Sequence, residues 1–140
     1  MEMKVEKVIM YNNIIKDIID NAQDVNALVK FKLLGMLKQF EPTIANFEII
    51  RNEKIKKYGT ESDNGNFGIY APNKDDFEND GDYENAVKEY EKAINDLNKE
   101  IDEVAKSDVE INFDKFKSAD IMNAGIPANY LVAIYDLIEE

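Results

Sequence analysis

The chain has 140 residues, 44% of them apolar and 33% charged, which fits one compact domain with a modest core and excludes a disordered or fibrous chain. Neither cysteine nor histidine occurs, so disulfides, thiolate nucleophiles and the usual base and metal ligand near neutral pH are excluded. The formal net charge of −12 repels phosphates, which argues against direct nucleic-acid binding.

That charge is unevenly placed: residues 1–59 sum to +2 and residues 60–140 to −14. An acidic half suits a basic partner surface, or it simply solvates one face. No apolar run reaches the ~18–20 residues that span a bilayer, and Met1-Glu2-Met3-Lys4-Val5 lacks the apolar core of a signal peptide. The expectation is a cytoplasmic protein with no membrane partner.

In chain order, residues 3–9 alternate imperfectly and suggest a short strand. From Met10 the period becomes helical, with Met10, Tyr11, Ile14, Ile15, Ile18 and Ile19 on one face and an end near Asn21. After a polar break, Asp24 or Asn26 is placed to cap a long helix from Ala27 to Tyr58. Its stripe is Leu33, Leu37, Phe40, Ile44 and Phe47, continuing through Ile50 and Ile55 to Tyr58. Gly35 weakens this helix and Pro42 predicts a kink or a break. Lys56-Lys57-Tyr58-Gly59 reads as its stop.

Residues 60–82 form a long connection. Asp63-Asn64-Gly65-Asn66 is a turn signal and Phe67–Tyr70 an extended piece, which together predict a small hairpin. The acidic run Asp75–Asp82 leads into the next helix, with Asp82 as its expected cap. From Tyr83 to Val104 the apolar residues Tyr83, Val87, Tyr90, Ile94, Leu97, Ile101 and Val104 recur at alternating spacings of four and three. This is the a/d seam of a coiled-coil type helix, and it needs a partner helix. The chain is expected to be organised around that seam, with Ala27–Tyr58 answering it. Val109–Phe113, continuing through Lys115-Phe116-Lys117, then alternates as a strand, paired with residues 3–9, and Ser118–Gly125 is an irregular link. Pro127 opens a last helix that buries Tyr130, Leu131, Ile134, Tyr135 and Ile138.

The fold expected is mainly α (α+β): a long antiparallel helical hairpin with a kinked first arm, a small two-stranded β element and a short C-terminal helix. Residues 1–140 form a single domain, with the arm over 27–106, its loop over 60–82, and a base from 1–26 and 107–140.

Chemistry is sparse. Counting Asp76 as position 1 of a calcium loop puts Gly81 correctly at 6, but position 12 is Val87 where a bidentate Glu is required. An acidic loop opening a helix is the better reading, so no metal and no cofactor are expected. Ser62, Ser107 and Ser118 are the only serines, with no histidine to activate them. No phosphate-binding glycine motif occurs. Acid pairs such as Glu100 with Glu103 sit on a polar helix face, where ordinary pKa values are expected. The expectation is a protein without enzymatic activity. Tyr58, Tyr70, Tyr83, Tyr90, Phe67 and Phe77 gather toward one end of the arm, as core or as contact surface. The basic group Arg51, Lys54, Lys56 and Lys57 complements a helix C-terminus.

Several stretches together resemble a group of uncharacterised small proteins from siphophages and prophages of low-GC Gram-positive bacteria. They are Lys30-Phe31-Lys32-Leu33, Phe40-Glu41-Pro42, Arg51-Asn52-Glu53, Lys57-Tyr58-Gly59 and Asn64-Gly65, with the Val109–Phe116 strand and the Pro127–Ile138 helix. The resemblance implies a phage context and transfers no catalytic residue. The leading expectation is an acidic protein that binds another protein, for example a modulator of a host defence or replication factor. Glu89, Asp96, Glu103, Tyr58 and Tyr70 are its candidate contact residues. The alternative is a structural or assembly protein of the phage particle, acting as a homo-dimer or higher oligomer through its seams.

Overall fold

The computed structural model describes residues 1–139. In chain order the elements are β1 (Glu2–Lys4), α1 (Val5–Asn21), α2 (Ala27–Tyr58), β2 (Thr60–Glu61), β3 (Phe67–Gly68), α3 (Asp80–Ala105), β4 (Asp108–Glu110), α4 (Ser118–Met122) and α5 (Ala128–Ala133). The fold is mainly helical, with a long helix pair, small antiparallel strand pairs and a short C-terminal helix. The chain divides into two compact units, residues 1–45 with 106–140 (the base) and residues 46–105 (the arm). The division falls inside α2, so the first half of the helix expected to begin the arm belongs to the base.

The core lies in the base. Val8, Ile15 and Ile18 of α1 meet Leu33, Met36 and Phe40 of α2, and Ile111, Phe116, Ile121, Ile134 and Leu137 close over them. All are at most 2% exposed, and each buried aliphatic side chain favours folding by about 1.5–3 kcal/mol before entropy is counted. The Phe40 ring meets Phe113 edge-on, at 6.1 Å between centroids and 85°. By contrast α3, around which the sequence suggested the chain is organised, has no fully buried residue. A two-helix arm has too few neighbours to enclose its seam, so the seam residues stay half-buried.

Helix α1 begins earlier than its pattern suggested. Val5 and Val8 continue the face of Tyr11, Ile15 and Ile18 at helical spacing, leaving only three residues for β1. Met10, expected on the core face, is 37% exposed. Strand β1 pairs antiparallel with β4, Met3 opposite Val109. The pairing expected of these segments is present but shorter on both sides.

Asn26 caps α2, its Oδ1 accepting from the backbone N–H groups of Leu28 at 2.9 Å and Val29 at 3.4 Å. Pro42 does not break the helix. Both Pro42 and Lys38, whose carbonyl loses its ladder donor, are exposed, so water takes the place of the missing N–H. The helix stops where expected. The Gly59 N–H donates to the Ile55 carbonyl at 2.7 Å, and a Cβ here would collide with the Ile55 and Gly68 backbones.

The rest of the base is more helical than the sequence suggested. Ser118–Met122, expected as an irregular link, forms α4, and α5 ends at Ala133 before a single 3-10 turn over Tyr135–Leu137. That turn rotates Leu137 into the core and leaves Tyr135, expected inside, 60% exposed.

Tyr11 ties α1 to this segment by donating its hydroxyl to Asp136 Oδ2 at 3.2 Å. Burial, then the charge of Asp136 and the bond to it, pushes the phenol up to about 12. A phenol raised from 10 in this way stabilises the fold fully below pH 10, a contribution lost as pH rises through about 12. Tyr11→Phe is therefore expected to remove that alkaline loss. Near neutrality it is expected to cost about 0.5–1.5 kcal/mol. Urea unfolding followed across the pH range checks both effects.

In the arm, α3 runs antiparallel to the second part of α2. The predicted hairpin is present: Thr60 faces Gly68 and Glu61 faces Phe67 across a turn in which Gly65 takes φ 84°. The N-terminus of α3 is organised by Asn79, not by Asp82. The Asn79 Oδ1 accepts from the Asp82 N–H at 2.8 Å, while its Nδ2 donates to the Asp82 carboxylate.

Candidate functional site

The residues singled out from sequence all lie in the arm. Glu89 and Glu103 are exposed on α3 and Asp96 is half-buried; their spacing of seven sets all three on one side of the helix. Tyr70 is 54% exposed, its ring lying against Gly68. Tyr58 is half-buried at the end of α2, with Lys57 Nζ 4.9 Å from its ring centre. Within the aromatic group, Phe77 meets Tyr83 at 5.9 Å, while Phe67 lies under Lys56.

Instead, the arm's charges converge on Glu100, whose Oε1 lies 3.3 Å from Lys57 Nζ and 3.7 Å from Lys54 Nζ. Its Oε2 is buried without a hydrogen bond of strict geometry. The Tyr58 hydroxyl foremost, then Lys57 and Lys54, hold the Glu100 carboxyl below its ordinary value against the effect of burial. Lys57 is raised in turn, by Tyr58 and then Glu100. This corrects the expectation that Glu100 titrates as an exposed acid. These ion pairs join α2 to α3. Among the described residues, no three acidic side chains converge as metal ligands would, and no helix is long and apolar enough to cross a membrane.

The feature that stands out is in the base. Leu28 is 80% exposed, Phe31 78% and Leu34 44%, all on α2. Helical spacing places Leu28, Phe31 and Gly35 on one strip facing away from Val29, Leu33, Met36 and Phe40. Contiguous apolar patches mark interaction surfaces more often than single exposed side chains do, and elsewhere in the base Val132, at 76%, is bare to a similar degree. Alongside, α2 and the extended residues 112–117 bound a groove with two depressions of about 540 and 440 Å³, which share Lys32 and Asp114. Lys32 bridges them, donating to the Lys115 carbonyl at 3.2 Å with its Nζ 4.8 Å from the Phe116 ring centre. Comparison with known protein families, curated proteins and solved structures finds no match.

Gly35 belongs to this strip. Nothing lies within 4 Å of where its Cβ would stand, so no contact inside the chain requires a glycine there. In a helix interior glycine costs about 1 kcal/mol against alanine. Gly35→Ala is expected to stabilise the isolated protein by about that amount. The check is a higher urea midpoint with an unchanged slope.

Sequence reasoning passed over Leu28 and Phe31 because they sit among other apolar residues at the start of a long helix. The available signal was excess. Between Ala27 and Phe40, α2 has more large apolar residues than a single core-facing stripe holds.

Proposed function

We propose that this chain is a non-enzymatic protein that acts by binding another protein through the exposed strip of α2. The observation that carries the proposal is the bareness of Leu28 and Phe31, at 80% and 78% exposure. Its non-enzymatic character rests on composition, which supplies neither histidine nor cysteine. The likeness to siphophage and prophage proteins extends the reading to a modulator of a host defence or replication factor, at work in the host cytoplasm. Glu89, Asp96 and Glu103 then serve as a secondary, charge-steering face toward a basic surface.

Leu28→Asp with Phe31→Asp tests it. Both side chains already face water, so the doubly substituted chain is expected to keep its circular dichroism and unfolding midpoint. In affinity capture from host lysate, a stoichiometric partner of the wild type is expected to vanish. An identical bound set for both chains would sink the reading.

A second reading, a homo-oligomeric assembly protein, is favoured by the arm, where α3 has no buried residue. Two such hairpins bury their seams by forming a four-helix bundle. A mass that does not change with concentration in sedimentation would count against it.

A further inference from the structure

We infer that Asn64, in the turn of the β2–β3 hairpin, is a covalent modification site, converted to aspartate or isoaspartate by attack of the Gly65 backbone nitrogen. Asn64-Gly65 is the only Asn-Gly pair in the sequence. Every other asparagine precedes a residue whose side chain crowds the backbone nitrogen that would have to attack, and glycine has no such side chain. Both Asn64 and Gly65 are exposed, so water and hydroxide reach them. Asn12, by contrast, is 8% exposed within α1.

The turn also prepares the carbon to be attacked. Asn64 Oδ1 accepts from the Ser62 hydroxyl and from the Asn66 N–H, the latter at 3.3 Å. In the reaction the Gly65 nitrogen gives its proton to solvent and bonds to Asn64 Cγ, and negative charge develops on Oδ1. Two donors aimed at that oxygen stabilise the charge as an oxyanion hole does. The carboxamide nitrogen takes up a proton and leaves as ammonia, closing a five-membered succinimide. Water then adds to either ring carbonyl and breaks its bond to the ring nitrogen, which leaves aspartate or isoaspartate. One contact holds the reaction back. The Gly65 N–H donates to the Ser62 carbonyl at 2.9 Å, and this bond must open before the nitrogen turns onto Cγ. The hairpin has only two residue pairs, and so short a ribbon opens readily.

Aspartate adds one negative charge to a chain of net −12. Isoaspartate does more, because it places an extra methylene in the backbone of the turn. Turn length fixes hairpin register, here Thr60 opposite Gly68 and Glu61 opposite Phe67. The Gly68 backbone packs against Gly59 at the stop of α2, so losing the hairpin uncovers that stop. Conversion of Asn64 is thus a one-way, age-dependent change at this end of α2.

The test incubates the full chain at mildly alkaline pH beside a synthetic peptide of residues 60–68, with each asparagine followed by mass spectrometry of proteolytic fragments. Asn64 is expected to convert within about tenfold of the peptide's rate, faster as pH rises, while the other asparagines stay intact. Gly65→Ala is expected to slow both chain and peptide several-fold, and Ser62→Ala to slow the chain alone. Hydrogen exchange over residues 60–68 is expected to lose its protection in the converted chain, separated by ion exchange. An Asn64 that stays intact in the chain while the peptide converts would overturn the inference, as would equal conversion at other asparagines. An unchanged or faster Ser62→Ala chain would overturn the part given to the donors on Oδ1. Retained protection in the isoaspartate form would overturn the effect on the hairpin.

Discussion

Phe40→Ala is expected to destabilise the protein by about 3–5 kcal/mol, a large part of the ~5–15 kcal/mol that holds a domain of this size folded. Phe40 is 0% exposed and sits where α2 crosses the core, with Phe113 edge-on against it. Truncation removes the ring from its apolar surroundings, strips the Phe113 contact and leaves a cavity that the closely packed Leu33 and Met36 cannot fill. Phe47, about two turns further along the same helix, is only half-buried, so Phe47→Ala is expected to cost markedly less. Urea unfolding of the two variants makes the comparison. Equal losses would mean that the base core does not dominate stability as described.

Gly125→Ala is expected to be the most damaging single methyl group in the chain, at more than about 2 kcal/mol. Gly125 has φ 84°, where any other L-residue is strained by roughly 1–2 kcal/mol. Strain is the smaller part. A Cβ here would run into the Asp24 carbonyl, in the turn between α1 and α2 where the Asn26 N–H donates to the Ala124 carbonyl at 2.7 Å. Relief requires parting the α1–α2 connection from the segment after α4. Gly65 separates the two effects. It has the same φ of 84° but its nearest neighbour would be a Glu61 side-chain oxygen at 3.8 Å. Gly65→Ala should therefore show the backbone strain alone, and the excess loss in Gly125→Ala measures the clash.

Features encoded within a few residues were legible from the sequence. The four-three spacing of α3, the Gly59 stop, the Asn64-Gly65 turn and the Pro127 opening each act locally, and each is found close to its expected place. The misplaced features depend on what lies across the fold. Val5 and Val8 fit a strand or a helix equally until Ile111 and Ile134 close over α1, and Tyr135 leaves the core because a 3-10 turn rotates Leu137 into its place. Pro42 is tolerated because its side of α2 faces water, which periodicity does not report. The same limit hid the exposed strip on α2. Leu28 and Phe31 look like Leu33 and Phe40 in the sequence, and only the position of the core tells them apart. The acidic residues Glu89, Asp96 and Glu103 were legible as a pattern, whereas the ion pairs of Glu100 with Lys54 and Lys57 required knowing which face of α3 meets α2.

The base is built from residues 1–45 and 106–140, with the arm inserted between them, and this sets an order of events during synthesis. When α1 and the first half of α2 leave the ribosome, Phe40 and Ile18 have neither Phe116 nor Leu137 to cover them, and β1 has no β4. The 60 intervening residues of the arm take about 3–12 s to translate at 5–20 residues per second. Through that interval the nascent chain displays a hydrophobic half-core, while the hairpin of the arm, whose contacts are nearer in sequence, is free to form. Chaperone engagement should therefore peak on chains stalled before Lys106 and fall once Leu137 has cleared the exit tunnel.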